Sequence, residues 1–149
     1  MSYPTEEAVR GSLRAAARRF GTPLFVTDVN AIDRACAEVR EAFPDPILRH
    51  YSVKANDVPA IVAEVTARGF GANVVSRGEW ALARRAGLPN QRMTLEGVGK
   101  TPADLREAAQ AAASGSPLRW VALESPEEAG ALASAVRRAG KPGLRLDVL

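Results

Sequence analysis

Short apolar runs that alternate with helical stretches constrain this chain more than any other feature. The strand-like runs are Leu24–Thr27, Ile47–Val53, Gly71–Val75, Arg92–Glu96, Trp120–Leu123 and Leu144–Leu149. Between them the spacing predicts helices near residues 31–43, 58–68, 77–86, 102–113 and 126–139, with a further amphipathic helix from about Thr5 to Arg19. Val58, Ile61, Val62 and Val65 fall at i, i+3, i+4 and i+7, which puts them on one helix face. Ala129, Leu132, Ala133 and Val136 repeat the pattern. Strand and helix in strict alternation mean βαβ units and a parallel sheet. A doubly wound sheet and a (β/α)8 barrel both satisfy the pattern. A complete barrel needs roughly 250 residues, and this chain has 149.

The helix boundaries are signposted. Ser76-Arg77-Gly78-Glu79 and Ser125-Pro126-Glu127-Glu128 have capping-box spacing, and Thr101-Pro102-Ala103-Asp104 is a weaker version. Gly69, Gly87 and Gly140 mark helix ends. No linker or low-complexity stretch divides the chain.

Composition narrows the function classes. The formal charge is +3, but the arginines are scattered without a basic stripe interleaved with aromatics, which argues against nucleic-acid binding. No run approaches the ~18 apolar residues of a membrane span. Glu6 and Glu7 stand where a secretory signal would be apolar, so a cytoplasmic protein is expected. Cys36, the only cysteine, reads as a small core residue. His50 is the only histidine. That excludes a His–His or His–Cys metal pair, and no metal is expected. As a strand residue, His50 is expected to find a hydrogen-bond partner.

Two motifs carry chemistry. EGVGKTP, Glu96 to Pro102, suggests a phosphate loop, but the first glycine of such a loop falls at Thr94. The stretch reads instead as a flexible turn leading into a capped helix. The other motif is HYSVKAND, His50 to Asp57, where a buried strand opens into a turn at Lys54. On pattern alone Lys54 is either a surface lysine snorkelling at a strand end or an amine at the C-terminal mouth of a parallel strand. Such mouths are where α/β barrels and open sheets place their chemistry. A neutral amine there forms Schiff bases with carbonyls, pyridoxal phosphate included.

HYSVKAN resembles the Y-[AS]-[VL]-K-[AC]-N motif of the fold-type III pyridoxal-phosphate enzymes, the diaminopimelate, ornithine and arginine decarboxylase group, with alanine racemase a more distant relative. FGTPLFVTD, GFGANVVSRGEWALARRAG, LEGVGKTPADLREA and LRLDVL resemble further motifs of that family in the same order. The resemblance covers about residues 20–149. It implies an α/β fold, a partial (β/α)8 TIM barrel holding about five of the eight strands. Residues 1–28 would lead into it, the strand Leu24–Thr27 belonging to a second domain, and 29–149 would be the incomplete pyridoxal-phosphate-binding barrel.

The resemblance further implies an amino-acid decarboxylase acting on diaminopimelate or a related basic amino acid, with pyridoxal 5'-phosphate as cofactor and a homodimer in the full-length family. Lys54 would be the Schiff-base lysine. Asn73, Ser76, Glu79 and Arg145 would lie near the cofactor, Arg145 on the fifth strand, although Glu79 is equally a capping residue. The family has aspartate where this chain has Asn73, and H-G-N where it has Glu96-Gly97-Val98-Gly99. The stacking histidine, glycine-rich loop and acidic partner of the ring nitrogen follow the fifth strand in the family. A truncated chain, inactive alone, is therefore expected. A non-catalytic relative that binds the cofactor or a partner protein, and a racemase of the same fold, stay open.

Overall fold

A computed structural model describes residues 5–149. The chain begins with two amphipathic helices. In α1 (Glu6–Phe20) Thr5 accepts a hydrogen bond from the Ala8 amide. Glu6 and Glu7 occupy its first turn and Arg18 and Arg19 its last, complementing the helix dipole. No side chain of α1 is buried. In α2 (Val29–Ala42) Asp28 caps the Asn30 amide, and Cys36 is the one buried residue.

From His50 the alternation is regular. The elements are β1 (His50–Ser52), α3 (Pro59–Ala67), β2 (Gly71–Val74), α4 (Arg77–Arg85), β3 (Met93–Leu95), α5 (Pro102–Ala113), β4 (Trp120–Val121) and α6 (Pro126–Arg138). The strands pair in parallel in the order β1-β2-β3-β4. A fifth segment joins at one point, where Val121 bridges Val148 in the parallel sense. There the Val121 amide donates to Asp147 and the Leu149 amide donates to Val121. The expected parallel βαβ architecture is thus present, with its last strand reduced to a bridge.

One expected strand does not form. Leu24–Thr27 has no regular structure, and Phe25 is fully exposed. An apolar run becomes a strand only when a neighbouring edge satisfies its N–H and C=O groups. Among the described residues no backbone ladder reaches this segment. The run from Ile47 also starts late, with Ile47 and Leu48 half exposed ahead of β1.

The pairing register separates two faces. Ala72 pairs with Met93, Val74 with Leu95, and Leu95 with Val121. All five are fully buried, in one cluster with Val62, Trp80, Leu105, Ala108 and Leu132 from the covering helices. Each aliphatic side chain so buried is worth about 1.5–3 kcal/mol. The Trp80 indole N–H donates to Asn90 Oδ1 (2.8 Å), and Asn90 Nδ2 donates to the Ser116 carbonyl (2.8 Å), so this polar pair is satisfied inside the core. The opposite face is polar. Along it Ser52 pairs with Asn73, Asn73 with Thr94, and Thr94 with Trp120.

The caps refine the reading of the helix starts. Ser76 and Ser125 each accept from the amide three residues on, Glu79 at 3.3 Å and Glu128 at 3.1 Å. Their glutamates do not close a box. Glu79 accepts from Val75 and Glu128 from Glu124, each one residue before the cap. The complete box is Thr101 with Asp104, whose carboxylate accepts from the Thr101 amide at 2.6 Å. The shorter aspartate reaches the cap's own N–H, while the longer glutamates reach one residue beyond it. Gly69, Gly87 and Gly140 have positive φ and end α3, α4 and α6, as their positions predict.

Candidate active site

The C-terminal ends of parallel strands are where the chain leaves the sheet, and side chains there face open space over its edge. Lys54 stands at this end of β1. It lies in a 3-10 turn, Val53–Ala55, immediately after the strand. Val53 is fully buried and anchors the turn. The Asn56 amide donates to the Val53 carbonyl, and the Tyr51 hydroxyl donates to the Asn56 carbonyl (3.0 Å). Asn56 Oδ1 in turn accepts from the Val58 amide (3.1 Å) at the start of α3. Burial pushes the Tyr51 hydroxyl above its usual pKa, so it stays a donor. The turn is therefore pinned on both sides, while Lys54 itself is exposed and has no acceptor among the described residues.

The next strand ends close by in sequence and register. Asn73 lies on β2 opposite Ser52, and its Nδ2 donates to Glu96 Oε2 at 2.6 Å. Asn73 Oδ1 and Ser52 Oγ are buried without hydrogen-bond partners among the described residues. Ser76 caps α4, and Glu79 holds the Val75 amide at 3.0 Å, so both are engaged in shaping the strand exit. Arg145 is exposed and precedes the Val148 bridge, on the opposite edge of the sheet from β1. The structure thus gathers Asn73, Ser76 and Glu79 around one strand exit beside that of Lys54, and leaves Arg145 across the sheet.

Two residues at this mouth, Glu96 and Lys100, were not singled out as site residues from the sequence. Glu96 enters through its bond to Asn73. Its alternation with Thr94 on β3, two residues apart on one face, was the available signal. Lys100 is buried, with its Nζ donating to the Gly97 carbonyl (2.5 Å) and paired with Glu128 Oε2 at 3.2 Å. It ties the loop after β3 to α6. His50 faces Thr94, with Nδ1 and Oγ1 3.3 Å apart, the partner expected for a strand histidine. Burial holds the His50 ring below its ordinary pKa, with the Glu96 charge opposing and the Arg92 and Arg119 charges adding to the effect.

Comparison with known proteins decides what this mouth belongs to. Residues 29–145 match the family described as pyridoxal-dependent decarboxylase, pyridoxal binding domain. The chain belongs to the pyridoxal-dependent decarboxylases. It is 38% identical over 130 residues to a diaminopimelate decarboxylase of Aquifex aeolicus, and 38% identical over 105 residues to one of Deinococcus radiodurans. The two alignments cover 87% and 70% of this chain, and 30% and 27% of those relatives, so the chain spans less than a third of their length. A crystal structure from Aquifex aeolicus superposes with TM-score 0.79 at 39% identity, over 87% of this chain and 31% of that one. A diaminopimelate decarboxylase from M. jannaschii in complex with L-lysine superposes with TM-score 0.77 at 26% identity, over 90% of this chain and 31% of that one.

The α/β sheet described above is therefore the first part of a decarboxylase barrel domain, and pyridoxal phosphate is the cofactor of that domain. The residues present fit such a group at one end. An exposed amine stands on a fixed turn, beside a strand exit where two buried polar atoms, Ser52 Oγ and Asn73 Oδ1, have no partner among the described residues. Among the described residues no helix is long and apolar enough to cross a membrane, and no cluster of His, Cys, Asp and Glu is arranged to hold a metal.

Proposed function

We propose that this chain carries the cofactor-anchoring part of a decarboxylase acting on diaminopimelate or a similar basic amino acid. The observation that carries the reading is Lys54, an exposed amine on a turn pinned by Val53, Tyr51 and Asn56 at the mouth of β1. Lys54 holds the cofactor covalently. When bound, the cofactor would supply an electron sink for the substrate carbon that loses carbon dioxide. The chain's own residues orient and charge that site. Ser76 and Glu79 fix the exit of β2, Asn73 presents an amide, and Glu96 contributes the carboxylate that Asn73 holds. Arg145 supplies a positive charge from the far edge. The family match begins at residue 29, which supports a barrel unit over 29–149 with 1–28 leading into it. The working assembly is a homodimer of the longer protein.

The test is direct. Purified chain is mixed with pyridoxal phosphate, reduced with borohydride and mapped by peptide mass spectrometry. The label is expected on Lys54 and absent from Lys54→Ala. A label spread over surface lysines and unchanged in Lys54→Ala would refute the anchor. Decarboxylation by the 149-residue chain alone is expected to be negligible, and robust turnover would overturn the expectation that further residues complete the site.

A further inference from the structure

We propose that the N-terminal end of the sheet, opposite the Lys54 mouth, binds a compact oxyanion of the phosphate or carboxylate kind. A cavity of about 270 Å3 opens there, its polar lining made by Asp45, Arg49, His50, Gln91, Arg92 and Arg119. These residues immediately precede or begin β1, β3 and β4, so the sheet itself brings them together.

The floor is built by a missing side chain. A Cβ at Gly71 would lie 2.6 Å from the His50 ring and 2.5 Å from the Arg92 carbonyl oxygen. Glycine lets the His50 ring lie across β2, with Thr94 at 3.3 Å and the Trp120 ring centroid at 6.4 Å. Arg119 is held with its guanidinium 4.7 Å from the Trp120 ring centroid.

The charges around the cavity do not balance. Arg49 is engaged by the Phe43 carbonyl and by Asp45 Oδ1 (2.7 Å), yet its buried Nε has no partner. Among the described residues neither the Arg92 nor the Arg119 side chain has a hydrogen-bonded or ion-paired acceptor. Both line the same cavity as the His50 ring. Asp45, the carboxylate that lines the cavity, is already paired with Arg49. Three guanidiniums therefore meet one carboxylate at this cavity. Guanidinium forks match the two-oxygen edges of phosphates and carboxylates, and the cavity volume suits one small anion.

The experiment titrates inorganic phosphate, and separately citrate, into the purified chain by isothermal titration calorimetry at ionic strength held constant with chloride. Saturable binding is expected. Each of Arg92→Ala and Arg119→Ala is expected to weaken it about tenfold, the loss of one charge-assisted hydrogen bond. Arg106→Ala, on the outer face of α5, is expected to leave it unchanged. The stronger of the two anions identifies the class. If an alanine variant loses its native circular dichroism, Arg92→Lys and Arg119→Lys keep the charge without the fork and are expected to bind measurably more weakly. The absence of saturable binding, or equal affinity in the folded Arg92 and Arg119 variants, overturns the proposal. So does anion-independent self-association that requires these arginines, which would assign the patch to an acidic protein surface. Phosphate binding at the Lys54 mouth is told apart because it would survive both arginine substitutions.

Discussion

Lys100→Met removes a buried cation while keeping nearly the same length and girth. The Lys100 side chain is fully buried, whereas Glu128 is 15% and Glu124 40% exposed. Its Nζ satisfies the Gly97 carbonyl and lies 3.2 Å from Glu128 Oε2 and 4.0 Å from Glu124 Oε1. Removing one partner of a buried pair costs about 3–5 kcal/mol, because the other charge stays desolvated. Here Glu128 keeps the Glu124 amide at 2.9 Å and some contact with water. The expected loss is therefore smaller, about 2–4 kcal/mol. For a chain of this size each kcal/mol lowers the melting midpoint by about 2–4 °C, so a fall of roughly 5–15 °C is expected. Urea denaturation followed by circular dichroism measures the loss. The decisive comparison is a double-mutant cycle with Glu128→Gln. That substitution is expected to be costly beside Lys100 and nearly neutral beside Met, with a coupling of at least about 1 kcal/mol. A Lys100→Met variant within about 0.5 kcal/mol of the parent, or one showing no coupling, would refute the claim that this pair holds the β3 exit loop against α6.

Three other outcomes follow from the same physics. Gly71→Ala places a methyl against both a backbone carbonyl and the His50 ring; a loss of at least about 2 kcal/mol is expected in urea, and His50→Ala should not restore it because the carbonyl contact remains. Asp104 is held below its ordinary carboxylate range: burial alone would raise it, but hydrogen bonds from Thr101 and the Arg77 amide, with the Arg77 charge, outweigh that. A depressed folded pKa stabilises above the unfolded value of 3.8 and is lost as pH falls through the folded value, so the stability gap between the parent and Asp104→Ala should hold steady near neutral pH and narrow below about pH 4. Lys54→Ala changes an exposed side chain, so stability within about 0.5 kcal/mol of the parent is expected while cofactor labelling disappears; a large destabilisation would make Lys54 a structural residue.

The helices were legible because their signals are local. A serine or threonine before a periodic apolar stretch and a glycine after it act within one turn, and the caps at Ser76, Thr101 and Ser125 all form. Strands were less legible because they need a partner. Leu24–Thr27 is as apolar as β1 but has no ladder, and Leu144–Leu149 engages only around Val148. The site divides in the same way. Lys54 stood out from the strand-to-turn change in HYSVKAND and from its family motif. Lys100 was met only inside a failed phosphate loop and a longer family motif, with no role of its own. Its burial depends on Glu128, which another helix brings from far along the chain. Neither that burial nor the cavity beneath Gly71 is written in local sequence, since both exist only once neighbouring strands are in register.

The bond between Asn73 and Glu96 bears on how the family's chemistry is arranged here. An amide at position 73 brings no negative charge to β2, which by itself would weaken electrostatic support for a cationic group at the mouth. The structure shows that position donating to the Glu96 carboxylate, immediately after β3, at 2.6 Å. A carboxylate from the neighbouring strand exit therefore stands beside Asn73, and the amide orients it. Exchanging the pair separates position from charge. Asn73→Asp alone sets two carboxylates at hydrogen-bonding distance, and one of them is then forced to hold a proton. Adding Glu96→Gln returns a single charge to the site with donor and acceptor reversed. If the Glu96 carboxylate serves the anchored cofactor, Asn73→Asp should shift the pH dependence of Lys54 labelling and the double variant should return it towards the parent. A labelling profile identical in all three proteins would show that this pair only braces the sheet.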